Sequence, residues 1–212
     1  MEFEIIVATA EHIKYAETVS TMISEAAHKR GTGIAMRTAD YISLKMRTKH
    51  AILALHKDEL AGFCYIESWS HHKYVANSGL IVAENFRHMG LAAKIKIKAF
   101  ELSRIIYPEA QLFGITTSLP VMKINSALGY KPVTFSELTD DDTFWHGCKG
   151  CTNHDILLRN EHKMCLCTGM LYDVKKNVAT TPAPKMKRWE KFKEFLKKRT
   201  ERINKLTFEK NV

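Results

Sequence analysis

A chain of 212 residues suits one globular domain with an appendage, since single cores usually occupy roughly 100–200 residues. With 45% hydrophobic and 26% charged residues it is too apolar for wholesale disorder and too mixed for a fibrous class. The formal charge of +9 suggests nucleic acid, but eleven Lys and Arg against four Glu in residues 185–212 carry +7 of it, which leaves +2 for everything before. The basic character therefore belongs to the tail, and nucleic acid is not an expected partner of the core.

In chain order, Phe3–Val7 reads as a first strand. Thr9-Ala10-Glu11-His12 then resembles a capped helix start, with Ile13, Ala16, Val19, Met22 and Ile23 at helical spacing up to the break at Gly31. Arg30-Gly31-Thr32-Gly33 is loop chemistry, and Thr38-Ala39-Asp40 opens a shorter helix carrying Tyr41, Ile42, Leu44 and Lys45. Ala51–Leu55 and Leu60–Ile66 form a hairpin pattern around His56-Lys57-Asp58-Glu59, followed by a third β-rich run, Tyr74–Val82. A long helix carries Ile95, Ile97, Phe100, Leu102 and Ile106 and stops near Pro108; Leu112–Thr116 is a fifth strand, and Pro120–Leu128 a helix ended by Gly129. The order is α/β with an antiparallel meander in the middle.

Regularity lapses after Phe135. The expected organisation is a core over 1–136, a Cys-rich insert over 137–173, and a linker with a basic amphipathic helix over 174–212. The helix carries Trp189, Phe192, Leu196, Ile203 and Leu206 near one face, the pattern of a stripe docking on the domain or on a second subunit, so a homodimer is a further expectation. The segment Met1-Glu2-Phe3-Glu4 is acidic where a secretory signal is basic, and no run approaches the ~18 apolar residues of a membrane span, so a cytoplasmic chain without a membrane partner is expected. Of five cysteines, Cys64 sits alone, while Cys148, Cys151, Cys165 and Cys167 form C-x2-C and C-x-C pairs. That arrangement suits a structural tetrahedral zinc better than a disulfide framework; packed reduced thiols are the plainer alternative.

The most informative segment is Gly79-Leu80-Ile81-Val82-Ala83-Glu84-Asn85-Phe86-Arg87-His88-Met89-Gly90-Leu91-Ala92. A buried strand that turns through Gly into a helix exposes free backbone N–H groups at a positive dipole end, the makings of a pyrophosphate cradle. Arg87 adds a guanidinium fork, and Gly90 and Ala92 keep side chains clear of the backbone.

This R-x-x-G-x-A pattern, the order of elements, and Gly129-Tyr130 after the next helix resemble the GNAT acetyltransferases over roughly residues 1–135. The resemblance implies the GNAT acyl-CoA N-acyltransferase fold, a mixed central sheet flanked by helices, here with the Cys-rich insert and basic C-terminal helix appended. It implies acetyl-CoA or another acyl-CoA as co-substrate. Ile81 and Val82 would offer backbone groups to the pantetheine arm, and Arg87, His88, Met89, Gly90, Leu91 and Ala92 would hold the pyrophosphate. Backbone near Asn77, Ser78 and Gly79 would polarise the thioester carbonyl at splayed strands. Direct attack by a neutral amine then needs a proton acceptor, for which Glu67 is the first candidate and His71 or His72 the next; Glu84 reads as a turn residue.

Asn125 stands where many members of that family place the Tyr that protonates the leaving thiolate; an amide cannot do so, and Asn125 is expected to orient the cofactor instead. The loop before the second helix, with Arg30 and Arg37, could grip a carboxylate, and with the likeness to acetyltransferases of bacterial arginine pathways this makes an amino acid such as glutamate the expected acceptor amine. The alternative is a GNAT-like shell that binds RNA or protein through a zinc knuckle and the basic helix without turnover.

Overall fold

Seven strands form one mixed sheet in the computed structural model of the chain, which describes residues 1–30, the side chain of Arg30 excepted, and 35–175. Arg30's side chain, the loop residues 31–34 and nearly all of the linker and basic helix expected over 174–212 lie outside the described residues. Strands β1 (Glu4–Val7), β2 (Ala51–His56), β3 (Glu59–Trp69) and β4 (Tyr74–Val82) pair antiparallel in sequence order. β4 then runs parallel to β5 (Gln111–Thr116), and β7 (Thr168–Tyr172) lies between β5 and the edge strand β6 (Lys131–Val133).

The period-2 alternation of β2 and β3 makes two cores. Ala51, Leu53, Leu55, Phe63 and Tyr65 face helices α1 (Ala16–Arg30) and α2 (Ala39–Arg47), where they meet Tyr15, Val19, Ile23, Ile42 and Met46. Ile52, Ala54 and Cys64 face α3 (Leu91–Ile106) through Leu91, Ile95 and Ala99. The expected helix after Thr9 divides into a 3₁₀ stretch, Ala10–Tyr15, and α1. There the Thr9 hydroxyl and amide both meet His12 Nδ1, at 3.0 and 3.1 Å, holding a tight first turn. Thr38 caps α2 as expected, its hydroxyl accepting from the Tyr41 amide.

The sheet does not end at 136. β7 pairs with β5 over five positions, from Leu112↔Tyr172 to Thr116↔Thr168, and Met1–Val174 forms one compact unit. A Cβ at Gly169 would lie 3.0 Å from the Val133 carbonyl, so glycine lets β7 approach β6 closely. The irregular segment is thus a connection between β6 and β7, not a terminal addition to the core. Its short helices α5 (Asp142–His146) and α6 (His154–Arg159) cover the face of β4 and β5 through Trp145 and Leu157, which pack with Ala76, Phe113 and Phe135. Trp145 also donates from Nε1 to the Thr139 carbonyl at 2.9 Å.

Candidate active site

The exit of β4 builds an anion-binding corner from backbone. His88 and Gly90 have φ of 64° and 72°, and α3 starts at Leu91 directly behind them. In its first turn the amides of Leu91 and Ala92 have no intrahelical acceptor, while those of Ala93 and Lys94 donate to the Gly90 carbonyl at 3.2 and 3.3 Å. No atom of the described residues lies within 4 Å of where a Cβ on Gly90 would stand, so the space in front of the helix is kept clear by the glycine itself. Arg87 Nε donates to the Val82 carbonyl at 3.3 Å, and Nη1 lies 3.5 Å from Glu84. Glu84 also accepts from Lys29 of α1 at 3.1 Å; Lys29, and then Arg87, hold its carboxyl below the ordinary value. Glu84 opens the short 3₁₀ turn Glu84–Phe86, as expected of a turn residue, and its exposed carboxylate pairs with Arg87 beside the helix terminus. Arg87 through Ala92 gather at one place, with Leu91 contributing only its amide, since its side chain is in the core.

Beside this corner the sheet opens. β4 and β5 pair only through Tyr74↔Gln111, Val75↔Leu112 and Ala76↔Phe113. From Asn77 to Val82 the edge of β4 that faces β5 has no strand partner among the described residues, while its other edge stays paired with β3. The register steps from Tyr65↔Ser78 to Phe63↔Ile81, one extra residue on β4, with Gly79 at φ 64°. A Cβ on Gly79 would stand 2.6 Å from the Tyr65 ring, so ring and bulge require each other. Ile81 and Val82, expected to meet a pantetheine arm, lie on this freed stretch, as does Ser78, whose carbonyl accepts from Cys64 Sγ at 3.3 Å.

On the α1–α2 face of the opening, side chains from three places converge. Arg37 Nε donates to the Tyr65 hydroxyl at 2.9 Å, with the guanidinium 5.1 Å from the Tyr41 ring centroid. Tyr41 donates to Glu67 Oε2, and Lys45 Nζ donates to Glu67 Oε1 at 3.0 Å. Burial pushes the phenols of Tyr41 and Tyr65 up, so both stay protonated donors at neutral pH. The structure thus joins Glu67 and Arg37, which the sequence singled out separately, through two tyrosines and a lysine that read only as helix and strand pattern. His71 and His72 lie in the β3–β4 turn, at the paired end of β4; His72 Nδ1 meets Ser68 Oγ at 2.8 Å and its ring packs on Tyr107, so they stand apart from the opening.

The opposite face differs from expectation at one residue. Asn77 lies on the stretch whose backbone was expected to polarise the thioester and was also a candidate for acceptor binding, but its side chain turns into the core and donates to Ser103 Oγ at 2.7 Å, because strand alternation directs it toward α3. Tyr130 Oη donates to Asn77 Oδ1 at 3.5 Å, and the amide of Tyr130 donates to the Asn125 carbonyl at 3.0 Å. Asn125, on α4 (Leu119–Ala127), is buried with Nδ2 on Met170 Sδ at 3.7 Å, and its Oδ1 has no hydrogen-bond partner among the described residues. A buried amide oxygen left this way is costly unless a water or a ligand satisfies it. Lys96, which the sequence reading passed over, lies buried on this same face.

The zinc expectation finds no support here. Among the described residues no group of three or more His, Cys, Asp or Glu side chains stands where it could hold a metal ion. Cys148, Cys165 and Cys167 instead pack against the Trp145–Phe113 cluster. Burial, and then the neighbouring cysteines, raise the thiols of Cys148 and Cys167. Also among the described residues, no helix is long and apolar enough to cross a membrane.

At the level of sequence, no protein-family model and no curated protein matches the chain. Solved structures do match its fold. An N-acetylglutamate synthase from Neisseria gonorrhoeae, complexed with coenzyme A and N-acetyl-glutamate, is 13% identical with a TM-score of 0.59 over 82% of this chain, which spans only 35% of that protein. The Salmonella typhimurium protein yncA, solved with its cofactor acetyl-CoA, is 10% identical with a TM-score of 0.56, covering 82% of this chain and 95% of that one. A GNAT-family acetyltransferase from Streptococcus pneumoniae is 11% identical with a TM-score of 0.52, covering 81% and 98%. At such identities the likeness speaks for architecture: the chain has the fold of the GNAT acetyltransferases.

Proposed function

We propose that the chain is an acyl-CoA-dependent N-acyltransferase that moves an acetyl or similar short acyl group onto the primary amine of a small molecule, an amino acid such as glutamate being the first choice. The observation that carries this reading is the end of β4–β5 pairing at Ala76↔Phe113, beside a helix that starts on a left-handed, uncovered Gly90. The residues fit the cofactor: free first-turn amides and Arg87 suit a pyrophosphate, the freed stretch Asn77–Val82 suits an extended arm, and Asn125 Oδ1 calls for a donor.

When bound, acyl-CoA supplies an activated thioester. Backbone of Ser78 and Gly79 at the bulge stabilises negative charge on the carbonyl oxygen. Arg37, together with Arg30, holds the acceptor carboxylate, and Lys45 and Tyr41 position the Glu67 carboxylate by donating to its two oxygens. Glu67 takes the proton from the attacking amine, directly or through water. Glutamate rests on the charge of this pocket and on the N-acetyl-glutamate bound by the gonococcal protein of similar fold.

The test is a calorimetric titration with acetyl-CoA and succinyl-CoA, followed by thiol release across a panel of amino acids and of amines lacking a carboxylate. Thiol release with glutamate but not with amines lacking a carboxylate supports the reading. Acyl-CoA binding without thiol release for any amine overturns it in favour of a binding module, and no binding at all overturns both.

A further inference from the structure

Lys96 is an amine in a core position. It lies on the face of α3 that meets the sheet, beside Ile95 and Ala99, and is 2% exposed. Its Nζ donates to the Asn77 carbonyl at 3.2 Å, and the Tyr130 ring centroid is 5.6 Å away. Asn77 is the first residue of β4 beyond the last β4–β5 pair. The ammonium is thus fixed to the strand at the point where the sheet opens, and Tyr130 links it to Asn125 with its unpartnered oxygen.

No carboxylate among the described residues pairs with Lys96. The titratable groups facing it are Cys64 of β3 and Tyr130 of the turn after α4, with Arg104 of α3 and Tyr172 of β7 acting on Tyr130. Tyr130 is held protonated by burial, and Cys64 is pushed up to about 11, so neither neutralises the amine. An uncompensated buried ammonium destabilises a fold, and such a group persists where it has work to do.

We propose that Lys96 is the general acid of the transfer, giving its Nζ proton to the coenzyme A sulfur as it leaves, a role that the amide of Asn125 cannot fill; this rests on the acyltransferase reading above. The amine nitrogen bonds to the carbonyl carbon and its surplus proton goes to Glu67 or water. The C–S bond breaks with its electron pair on sulfur, sulfur takes the proton from Nζ, and the neutral Lys96 is reprotonated from water. The acidities match: burial lowers Lys96 to about 8, close to the ~8.5 of an ordinary thiol.

The experiment compares wild type with Lys96→Met in two readouts. First, calorimetry with coenzyme A and with desulfo-coenzyme A: wild type should prefer the thiol by about tenfold, as expected for a charged hydrogen bond, and Lys96→Met should bind both alike. Second, thiol release from acetyl-CoA with hydroxylamine, an acceptor already neutral at pH 7: kcat should fall about 100-fold in Lys96→Met. Wild-type kcat should decline as pH rises through about 8, where the acid loses its proton, and the variant should lack that limb. An unchanged preference for the thiol, or a retained alkaline limb, overturns the proposal. Should Lys96→Met not fold, Lys96→Arg keeps the charge and should move the limb upward, and a wild-type kcat that stays flat to pH 10 overturns the proposal alone. A wild type that binds neither coenzyme A nor its desulfo form instead overturns the acyltransferase reading.

Discussion

The two ends of the candidate site are made differently. The corner proposed for the pyrophosphate is six consecutive residues, Arg87 to Ala92, presenting mostly backbone amides and a left-handed glycine. The acyl end draws Arg37, Tyr41 and Lys45 from the α1–α2 side, Tyr65 and Glu67 from β3, Lys96 from α3, and Asn125 with Tyr130 from the end of α4. A backbone site is local in sequence, so a short motif betrays it. A side-chain site exists only after the sheet has folded, and no spacing announces it.

The two constructions should break in different ways. Gly90→Glu puts a carboxylate into the space before α3, and acyl-CoA affinity should fall at least about 100-fold by calorimetry. Because no described atom lies near that Cβ, stability should drop only by the strain of a non-glycine left-handed residue, about 1 kcal/mol. Gly79→Ala acts on the other construction: with φ at 64° and the Tyr65 ring 2.6 Å from the new methyl, unfolding in urea should show a loss of about 3–4 kcal/mol. A loss below about 1 kcal/mol would mean the bulge is not held by that ring.

Lys96→Met should move stability the other way. A lysine held at about 8 instead of 10.5 is penalised in the folded state. Below pH 8 both states are protonated and the penalty is full; between 8 and 10.5 the unfolded chain holds the extra proton, so wild type gains stability as pH rises. The variant should therefore be more stable by about 2–3 kcal/mol at pH 7, with the gap closing toward pH 10.5. A gap that stays constant with pH would show that Lys96 is not buried as an ammonium.

Arg37→Ala should raise KM for a carboxylate-bearing amine about tenfold, the worth of one charged hydrogen bond, and leave KM for acyl-CoA nearly unchanged. Equal effects on both would remove Arg37 from acceptor binding. The smallest effect belongs to Cys148→Ser: as a packed thiol its loss should cost no more than about 1 kcal/mol in thermal unfolding. A collapse of several kcal/mol, accompanied by loss of about one zinc per chain in elemental analysis, would instead show a structural zinc at these cysteines.

Strands β1 to β5 and both flanking helix pairs were legible because their periodicity and caps agree, as at Thr38 before α2. β7 was not: five residues opening on Thr168-Gly169 show no strong alternation, and the strand is defined by fitting between β5 and β6. The pattern on α3 misled in an instructive way. Of the apolar residues along it, Ile95 is buried but Ile97 and Ile106 are 42% and 37% exposed, while Leu91, Lys96, Ala99 and Ser103 are buried as well. The inner face thus carries Lys96 and Ser103 beside its apolar residues, and a reading that follows hydrophobicity alone leaves Lys96 out. The cysteine spacing read as metal ligation, but these thiols share a helical cover with Trp145, a contact that spacing cannot express.

The most direct measurement is a titration of the wild-type chain with acetyl-CoA, repeated with Gly90→Glu. The account predicts saturable binding near one site per chain, lost in the variant, and thiol release when an amino acid is added. Heat-silent titration of wild type with every acyl-CoA tried, or equal binding to Gly90→Glu, would contradict it.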